Sequence, residues 1–357
     1  MSLYLFSAAL PLYLFRYRGY SLELVGILVG LASVVQLVAT LISGPLVDRR
    51  GARLAMRLGA ACYVLAALLF LTSAWLPAIV LARILHGIGI ALVLPAVLSV
   101  VPALVSRRFR GTALGTVGAF NNVALAIGPP LGLLLLAHAP ATLFLTALAT
   151  AALAISTSLL LNVGGRAPEP GRLFKYRGAW TPLYAITFLS VVYWGVVTAF
   201  LPIAVPPSQI PNVGWFFAAD AVAVMAARIP TGYLADRFGA RWLLVAGVAT
   251  TGLAISVLLT APSLVTLVVA GVGTGLGAAL LLPPILLELT KRSNDTNRGT
   301  AMALYNASFA AAVGVGSLGG AVLVQHFGFN ATLVASLIAC LAAAPVALVT
   351  VRRLEDG

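Results

Sequence analysis

The chain has 357 residues, of which 61% are hydrophobic and 9% are charged, and its formal net charge is +13. Soluble domains carry roughly 25% charged residues, so a chain this apolar is not expected to be a soluble globule. The two cysteines, Cys62 and Cys340, lie in apolar runs of different halves, which excludes a disulfide framework, and the three histidines are too scattered to form a metal site.

Twelve apolar runs follow one another along the chain, and they cover residues 1–16, 22–47, 54–75, 77–105, 111–137, 141–162, 180–204, 214–235, 242–260, 262–287, 299–325 and 329–350. Most of them approach the roughly 20 residues that cross the hydrocarbon core of a bilayer. Backbone polar groups in lipid must pair within the structure, which favours helices, whereas a β-barrel would show alternating segments of about ten residues. The sequence therefore predicts an all-α integral membrane protein with twelve transmembrane helices.

Two stretches of the sequence recur at an offset of 188 residues. Seven of the eleven positions in 44–54 are identical to those in 232–242, and residues 110–132 overlay residues 298–320 with eight identities in 23. Each half then holds six helices in the same orientation, which predicts two parallel six-helix repeats with a substrate site between them. The expected domains are an N-terminal bundle (1–162), a cytoplasmic linker rich in Gly, Pro and basic residues (163–179), and a C-terminal bundle (180–357).

Subtracting the 188-residue offset places the start of the run 180–204 before residue 1, where the first run begins. The first helix is therefore expected to lack a turn or two at its start. No basic segment precedes this run, which argues against a cleavable signal peptide.

The basic residues indicate the orientation in the membrane. Of the 22 Lys and Arg residues, 18 fall in alternate loops, whereas the opposite loops hold Arg16 and Arg18. The positive-inside rule then places the basic loops and both termini in the cytoplasm. The positive charge is expected to contact anionic lipid headgroups of the cytoplasmic membrane, and nucleic acid is not an expected partner.

The repeated motif resembles the loop signature of the major facilitator superfamily of secondary transporters, which is Gly, three residues, Asp, Arg, one residue, Gly and two basic residues. The first copy supplies Gly44, Asp48, Arg49, Gly51 and Arg53, with Ala52 at one basic position, and the second supplies Gly232, Asp236, Arg237, Gly239 and Arg241. The resemblance covers nearly the whole chain. It implies that the signature packs one half against the other on the cytoplasmic side and separates during alternating access.

The chemistry of these residues suits a gate. Gly44 and Gly232 carry no side chain where helices must approach closely. Asp48 and Asp236 lie at helix ends within reach of Arg, so their ion pairs can form or break as the halves rock. The alternative is that they cap helices and anchor the topology without a gating role.

Arg83 and His86 lie three residues apart on one face of helix 4. The family's helix-4 motif has Arg, two residues, often Gln, and then Gly, and here His86 takes the Gln position before Gly87. The matching Arg in the family is often linked to proton coupling, and His titrates near neutral pH. The alternative is that backbone carbonyls hold Arg83 and that His86 is a neutral hydrogen-bonded residue.

Asp220 and Arg228 lie eight residues apart in helix 8, which is about 12 Å along a helix axis. Charges inside a membrane span are costly and are functional candidates by default. Arg228 is expected either to pair with a carboxylate or to face an aqueous cavity where it could meet an anionic substrate. Asp220 is a candidate proton site or a member of a structural ion pair.

Helix 5 contains "GAFNNVALAIGPPLG", which resembles the antiporter motif of the superfamily. Gly115, Gly128, Pro129 and Gly132 match it, whereas Ala124 and Leu133 replace two glycines. The resemblance implies a bend and a close helix crossing at Gly128, Pro129 and Gly132, and it favours export. Ordinary packing of small residues is the alternative.

Polar and aromatic residues of the spans are candidates to line the cavity, namely Asn121, Asn122, Tyr193, Trp194 and Asn306, together with Tyr4, Tyr13, Thr274 and Tyr305. Aromatic residues in spans more often serve packing or interfacial belts. The path has few hydrogen-bonding groups, which favours an amphipathic or lipophilic solute over a sugar.

The sequence contains no phosphate-binding loop and no metalloprotease motif, so neither an enzyme nor an ATP-driven pump is expected, and no cofactor or metal is implied. The first hypothesis is a monomeric, proton-coupled exporter of small amphipathic compounds, driven by the proton gradient. The second is a uniporter or symporter of an organic anion or other metabolite, with Arg228 or Arg83 as the anion clamp. The third is a membrane protein without transport activity that senses a ligand or scrambles lipid.

Overall fold

The computed structural model describes residues 1–104, 106, 110–160, 177–238, 241–260, 263–293 and 298–355, and this part of the chain is helical without β-strands. The helices of the first half are α1 (Ser2–Leu12), α2 (Leu22–Arg50), α3 (Ala52–Thr72), α4 (Leu76–Leu104), α5 (Arg110–His138) and α6 (Pro140–Leu160). Those of the second half are α7 (Thr181–Ala204), α8 (Gly214–Phe238), α9 (Arg241–Leu258), α10 (Leu264–Lys291) and α11 (Arg298–Glu355).

Two short elements extend these helices. α1 continues into a π-helical turn at Tyr13–Tyr17, and a 3-10 turn at Gly178–Trp180 leads into α7. Of the predicted linker, residues 163–176 lie outside the described residues, so the predicted domain boundaries stay a prediction.

α11 contains two membrane spans. Its 58 residues are interrupted at Gly328, whose φ of 82° and ψ of 172° fall in a region that is essentially restricted to glycine. The break falls in the gap between the predicted runs 299–325 and 329–350. With α11 counted as two helices, the described part of the chain has twelve helices, as many as the spans that the sequence predicted.

The lengths and compositions of the helices suit a bilayer. Eight described helical segments are individually long and apolar enough to cross a membrane, and one of them, residues 300–350, is 51 residues long. Residues 242–258 form a shorter apolar helix. The chain is therefore a multi-pass membrane protein.

The packing within the two halves follows the 188-residue repeat. Gly87 of α4 packs so closely on α2 that a Cβ there would meet the carbonyl oxygen of Ala32, and Gly275 of α10 packs in the same way on the carbonyl oxygen of Asp220 in α8. Both members of the first contact are 188 residues before their counterparts in the second. The internal repeat of the sequence is thus a repeat of the structure.

The halves meet along α2 with α11, α5 with α8, and α1 with α7. Two close contacts between the halves lie at the end of the bundle that carries the α1–α2 and α7–α8 connections, which we call the opposite end. There the amide nitrogen of Asn212 donates to the carbonyl of Pro130 over 3.0 Å, and Gly26 of α2 fits against Ser317 and Ala321 of α11. The end with the α2–α3, α8–α9 and α10–α11 connections, called the basic end, carries most of the arginines.

Candidate functional site

Arg83 is the centre of a polar cluster in the first half. Its side chain is 6% exposed. The guanidinium donates from Nε to the Leu28 carbonyl over 2.7 Å and from Nη2 to the Val29 carbonyl over 2.8 Å, both on α2. Its Nη1 donates to Nδ1 of His86 over 3.0 Å. The charge of Arg83 is therefore held by α2 and by its neighbour on α4.

The hydrogen bond from Arg83 determines the tautomer of His86. Arginine has no acceptor, so Nδ1 of His86 must accept the hydrogen bond and Nε2 carries the ring proton of the neutral imidazole. The ring packs edge-on against Phe6 at 5.5 Å and Tyr63 at 5.6 Å, measured between centroids. Among the described residues, Nε2 has no hydrogen-bond partner. Arg83 and His86 thus lie inside the first half, away from the space between the halves.

Asp220 is the centre of the corresponding cluster in the second half. The residue is 4% exposed, and its Oδ1 accepts a hydrogen bond of 2.7 Å from the Thr274 hydroxyl of α10. The same hydroxyl lies 3.0 Å from the carbonyl of Gly271. Tyr193 of α7 is buried beside this pair and interacts with both side chains. Within the described part of the chain, Asp220 forms no ion pair.

The two clusters occupy equivalent places in the repeat. His86 and Thr274 are separated by the offset of 188 residues, and so are Leu28, which accepts from Arg83, and Phe216, against whose carbonyl Gly271 packs. The cluster of the first half holds a cation, Arg83, and the cluster of the second half holds an acid, Asp220.

Arg228 lies in a third place, between the halves. It is exposed, and a Cβ at Gly118 of α5 would lie 3.3 Å from its Nη1. It also interacts electrostatically with the Tyr305 side chain of α11. Because α5 belongs to the first half and Arg228 to the second, the guanidinium lies between the halves. In the described part of the chain it has neither an ion pair nor a hydrogen bond.

The remaining cavity candidates lie on α5, α7 and α11. Asn121 is exposed on α5 and its amide oxygen accepts a hydrogen bond of 3.1 Å from the Tyr4 hydroxyl of α1. Asn122 is buried, and Trp194 packs edge-on against Phe217 at 5.6 Å. Asn306 is exposed on α11 and donates to the Met302 carbonyl of its own helix. Two pairs of the predicted residues are therefore in contact, Tyr4 with Asn121 and Trp194 with Tyr193, whose ring centroids are 6.2 Å apart.

The glycines of the helix-5 motif give close helix crossings. A Cβ at Gly128 would meet the backbone and Cβ of Tyr4, and a Cβ at Gly132 would meet the carbonyl of Leu5, both on α1. α5 remains helical through Pro129. The counterpart of Gly128 in the repeat, Gly316, packs against the carbonyl of Val192 on α7 in the same way.

The predicted gate residues lie at the basic end of the bundle. Gly44, Asp48 and Arg49 belong to the end of α2, Gly232, Asp236 and Arg237 belong to the end of α8, and Arg241 begins α9, but their side chains lie outside the described part. Arg53 is half-buried near the start of α3. Gly51, the single residue between α2 and α3, has φ of 85° and ψ of 149°. A glycine at this place in the motif thus permits a one-residue connection.

Sequence reasoning missed two residues that the structure singles out. One is Gly118, which makes room for Arg228. The other is Glu288 of α10, which is 4% exposed and pairs with Lys291 at 3.2 Å and Arg292 at 3.6 Å. An acid three and four residues before two basic residues in an otherwise apolar run is the signal that predicts such a pairing. No group of three or more His, Cys, Asp or Glu residues that could hold a metal occurs among the described residues.

Comparisons with known proteins agree with this architecture. The family model of the Major Facilitator Superfamily matches residues 1–208 and again 183–356. The chain is 28% identical to an "uncharacterized MFS-type transporter" of Salmonella typhimurium, over 95% of this chain and 90% of that protein. It is 27% identical to multidrug resistance protein 1 of Bacillus subtilis over 47% of this chain, which spans 44% of that relative's length.

A solved structure shares the fold. A mutant of the peptide transporter POT superposes with a TM-score of 0.81 at 16% identity, covering 99% of this chain and 91% of that one. The matching model spans both repeats, and the helix architecture agrees with it. The chain belongs to the Major Facilitator Superfamily, whose members are membrane transporters and not enzymes.

Proposed function

We propose that the protein exports small amphipathic compounds across the cytoplasmic membrane by alternating access, coupled to the proton gradient. The observation that carries this proposal is the Asp220 carboxylate, which is 4% exposed and has no cation partner in the described part of the chain. An ionised carboxylate is costly when it is buried without a counter-ion. A group in this situation suits reversible protonation.

Asp220 and Thr274 can satisfy each other in both protonation states. The ionised carboxylate accepts the hydroxyl hydrogen of Thr274 over 2.7 Å. Once protonated, the acid can donate to the hydroxyl oxygen, whose hydrogen then turns to the Gly271 carbonyl at 3.0 Å. A hydroxyl has one hydrogen and two acceptor positions. The change of hydrogen-bond partners therefore needs only rotation of the Thr274 hydroxyl about its C–O bond, without helix movement. This geometry supports Asp220 as the proton carrier and Thr274 as its positioning residue.

The contacts between the halves support a state that is closed on one side. With the basic loops in the cytoplasm, the Asn212–Pro130 hydrogen bond and the Gly26 contact close the bundle toward the outside. A solute then enters between the halves from the cytoplasm. Export requires these contacts to separate while the motif residues at the basic end come together. Both halves of the path come from one chain, so we propose that a monomer is sufficient.

The nature of the solute is supported by the path and by one relative. The described polar groups along the path are few, which suits an amphipathic molecule better than a polyhydroxylated one. The similarity to multidrug resistance protein 1 over about half of the chain supports the same class of solute. Anionic lipid headgroups are the proposed partners of the basic loops.

The test uses the purified chain in proteoliposomes. A thermal-shift screen against metabolites and drugs first selects a solute, because a ligand that binds the folded state raises the apparent stability. Its accumulation is then measured under an imposed pH gradient for the parent and for Asp220→Asn, with Glu23→Gln, an exposed acid, as the matched control. We expect Asp220→Asn to abolish accumulation and to leave solute-for-solute exchange measurable.

The result can also favour the other hypotheses. If the parent and Asp220→Asn both accumulate solute to the same level, coupling through Asp220 is wrong. Accumulation in the same direction as the proton flux would favour a symporter, and flux without accumulation would favour a uniporter. Absence of flux for every ligand that the screen finds would favour a protein that senses a ligand or scrambles lipid.

A further inference from the structure

We infer that Arg228, together with Gly118 and Tyr305, binds the carboxylate of the transported solute, so that the solutes are amphipathic organic anions. This inference rests on the proposed transport function and names its substrate class. It depends on the position and bonding of Arg228, on the space that Gly118 leaves, and on the charges around the path.

Arg83 and Arg228 differ in how many of their hydrogen-bond donors are used. Arg83 directs its guanidinium to two carbonyls and to His86, and it is 6% exposed. Arg228 is exposed, and within the described residues its five N–H donors have no acceptor. A charged side chain within a span must face water or a partner. Arg83 has structural partners, whereas Arg228 is available to a ligand.

Gly118 leaves the space in which the guanidinium lies. The repeat places Asn306 of α11 at the position that corresponds to Gly118 of α5. A Cβ at Gly118 would lie 3.3 Å from Nη1 of Arg228, closer than almost all ordinary Cβ contacts, and a whole asparagine side chain would need the volume that the guanidinium occupies. Gly118 therefore departs from the repeat at the point where α5 faces Arg228 of α8.

The groups around Arg228 suit a carboxylate. A planar guanidinium binds a carboxylate through two parallel hydrogen bonds. Tyr305, which interacts electrostatically with Arg228, carries a hydroxyl that can donate a further bond. Asn121, one helical turn from Gly118 on α5, uses its amide oxygen for Tyr4, which leaves its NH₂ group to donate. All three groups can donate to an anion.

The buried charges of the described helices do not compete for this role. Arg83, Asp220 and Glu288 are buried and engaged with neighbouring groups. Asp220 is two helical turns from Arg228 on the same helix, about 12 Å along the axis. The exposed charge between the halves is therefore positive, which attracts an anionic solute and disfavours a cationic one.

The test is a binding comparison with three probes of the same shape. These are 4-phenylbutyrate, its neutral amide 4-phenylbutanamide, and the cation 4-phenylbutylamine, whose dissociation constants are measured by equilibrium dialysis with the purified full chain. We expect the parent to bind the acid about tenfold or more tighter than the amide, because hydrogen bonds to charged groups are among the stronger ones. Arg228→Gln should remove this preference, and Arg228→Lys should retain part of it.

Two further variants separate a binding role from a structural one. Gly118→Asn introduces the residue of the repeat and should weaken binding of the acid while leaving binding of the amide within about twofold. Arg16→Gln, an exposed arginine at the opposite end, should change neither. A parent that does not bind the acid more tightly than the amide, whether both bind equally or neither binds, overturns the inference. So does tighter binding of the amine, or an Arg228→Gln variant that keeps the preference.

The proposed coupling can fail independently. If Asp220→Asn accumulates solute like the parent while Arg228→Gln loses the preference for the acid, the proton proposal is wrong and the anion site stands. If Arg228→Gln binds the acid like the parent while Asp220→Asn abolishes accumulation, the anion site is wrong and the coupling proposal stands.

Discussion

His86 and Thr274 occupy the same position in the two halves of the chain, and each hydrogen-bonds a buried charged side chain of its own half. His86 accepts from Arg83 over 3.0 Å, and Thr274 donates to Asp220 over 2.7 Å. The donor and acceptor roles are reversed because the charges are of opposite sign. An arginine keeps its proton and a carboxylate exchanges it, so the repeat pairs a fixed charge with one that can change.

The reversed roles lead to a prediction for Thr274. Thr274→Val keeps the shape of the side chain but removes the hydroxyl that Asp220 uses, whereas Thr274→Ser keeps the hydroxyl. We expect the valine variant to change the pH profile of solute accumulation and the serine variant to retain the parent profile. The measurement is accumulation in proteoliposomes over a series of pH values. Identical profiles for the two variants would contradict the role of the hydroxyl.

A second prediction concerns the polar cluster around Arg83 in the first half. Arg83→Lys cannot reach the two α2 carbonyls and His86 together, because an ammonium group lacks the planar fork of the guanidinium. Each lost hydrogen bond from a charged group is worth about 1.5–3 kcal/mol, so thermal unfolding of the purified protein should shift to lower temperature. His86→Gln offers Arg83 an amide oxygen and should keep the unfolding temperature.

Transport by the His86→Gln variant gives a separate readout. The substitution removes a titratable ring while conserving an acceptor for Arg83. We expect it to shift the pH optimum of transport without abolishing transport. An unchanged optimum would show that His86 serves only to hold Arg83.

A third prediction concerns the gate at the basic end. Asp48→Asn should leave expression near normal and lower transport, because loss of the charge shifts the balance between the two conformations. The balance is followed by the labelling rate of a cysteine introduced by Met302→Cys near the start of α11, with and without Asp48→Asn. If both the solute flux and the labelling rate remain unchanged, Asp48 has no gating role.

A fourth prediction concerns the connection between α2 and α3. Gly51 has φ of 85°, and no atom lies within 4 Å of the Cβ that alanine would add, so the cost of Gly51→Ala is one of backbone strain alone. That strain is of order 1–3 kcal/mol. Gly178→Ala, which also meets open space but without a positive φ, is the control. Equal unfolding temperatures for the two variants would contradict the strained conformation.

A fifth prediction concerns closure at the opposite end. A Cβ at Gly26 would overlap Ala321, Phe200 and the Ser317 carbonyl, so Gly26→Val should hold the halves apart there. Opening is detected as faster labelling of Ser317→Cys by a water-soluble thiol reagent, in a background with Cys62→Ser and Cys340→Ala. Gly319→Val, on the same face of the membrane but with no atom within 4 Å, should label like the parent.

The sequence predicted the helices well because the signals for them are local. The runs of apolar residues and the 188-residue repeat correspond to the twelve helices, and the break at Gly328 falls between the runs that end at 325 and begin at 329. The spacing of Arg83 and His86 placed them on one face of α4, and the two side chains are in contact.

The partners of the polar residues could not be predicted in the same way. Arg83 is bound by the backbone carbonyls of Leu28 and Val29, which lie 55 and 54 residues away. Any residue type carries such a carbonyl, so the sequence does not mark these partners. Gly118 and Arg228 belong to different halves and are close only because α5 packs against α8. The repeat contains this difference, because Asn306 occupies the position of Gly118, but the sequence alone does not show which helix uses the space.

The two ends of the bundle should respond to different solution conditions. Closure at the opposite end depends on glycines against small residues and on a neutral amide donating to a carbonyl, with no ion pair among the contacts that the structure describes there. Salt screens interactions between exposed charges and leaves such uncharged contacts largely unaffected. The arginines and aspartates of the repeated motif are at the other end, where the proposed gate would close through charged groups. On this proposal, ionic strength on the side of the basic end weakens that gate while the opposite end keeps its strength, and the conformational balance of the transporter should depend on which side of the membrane the salt is added.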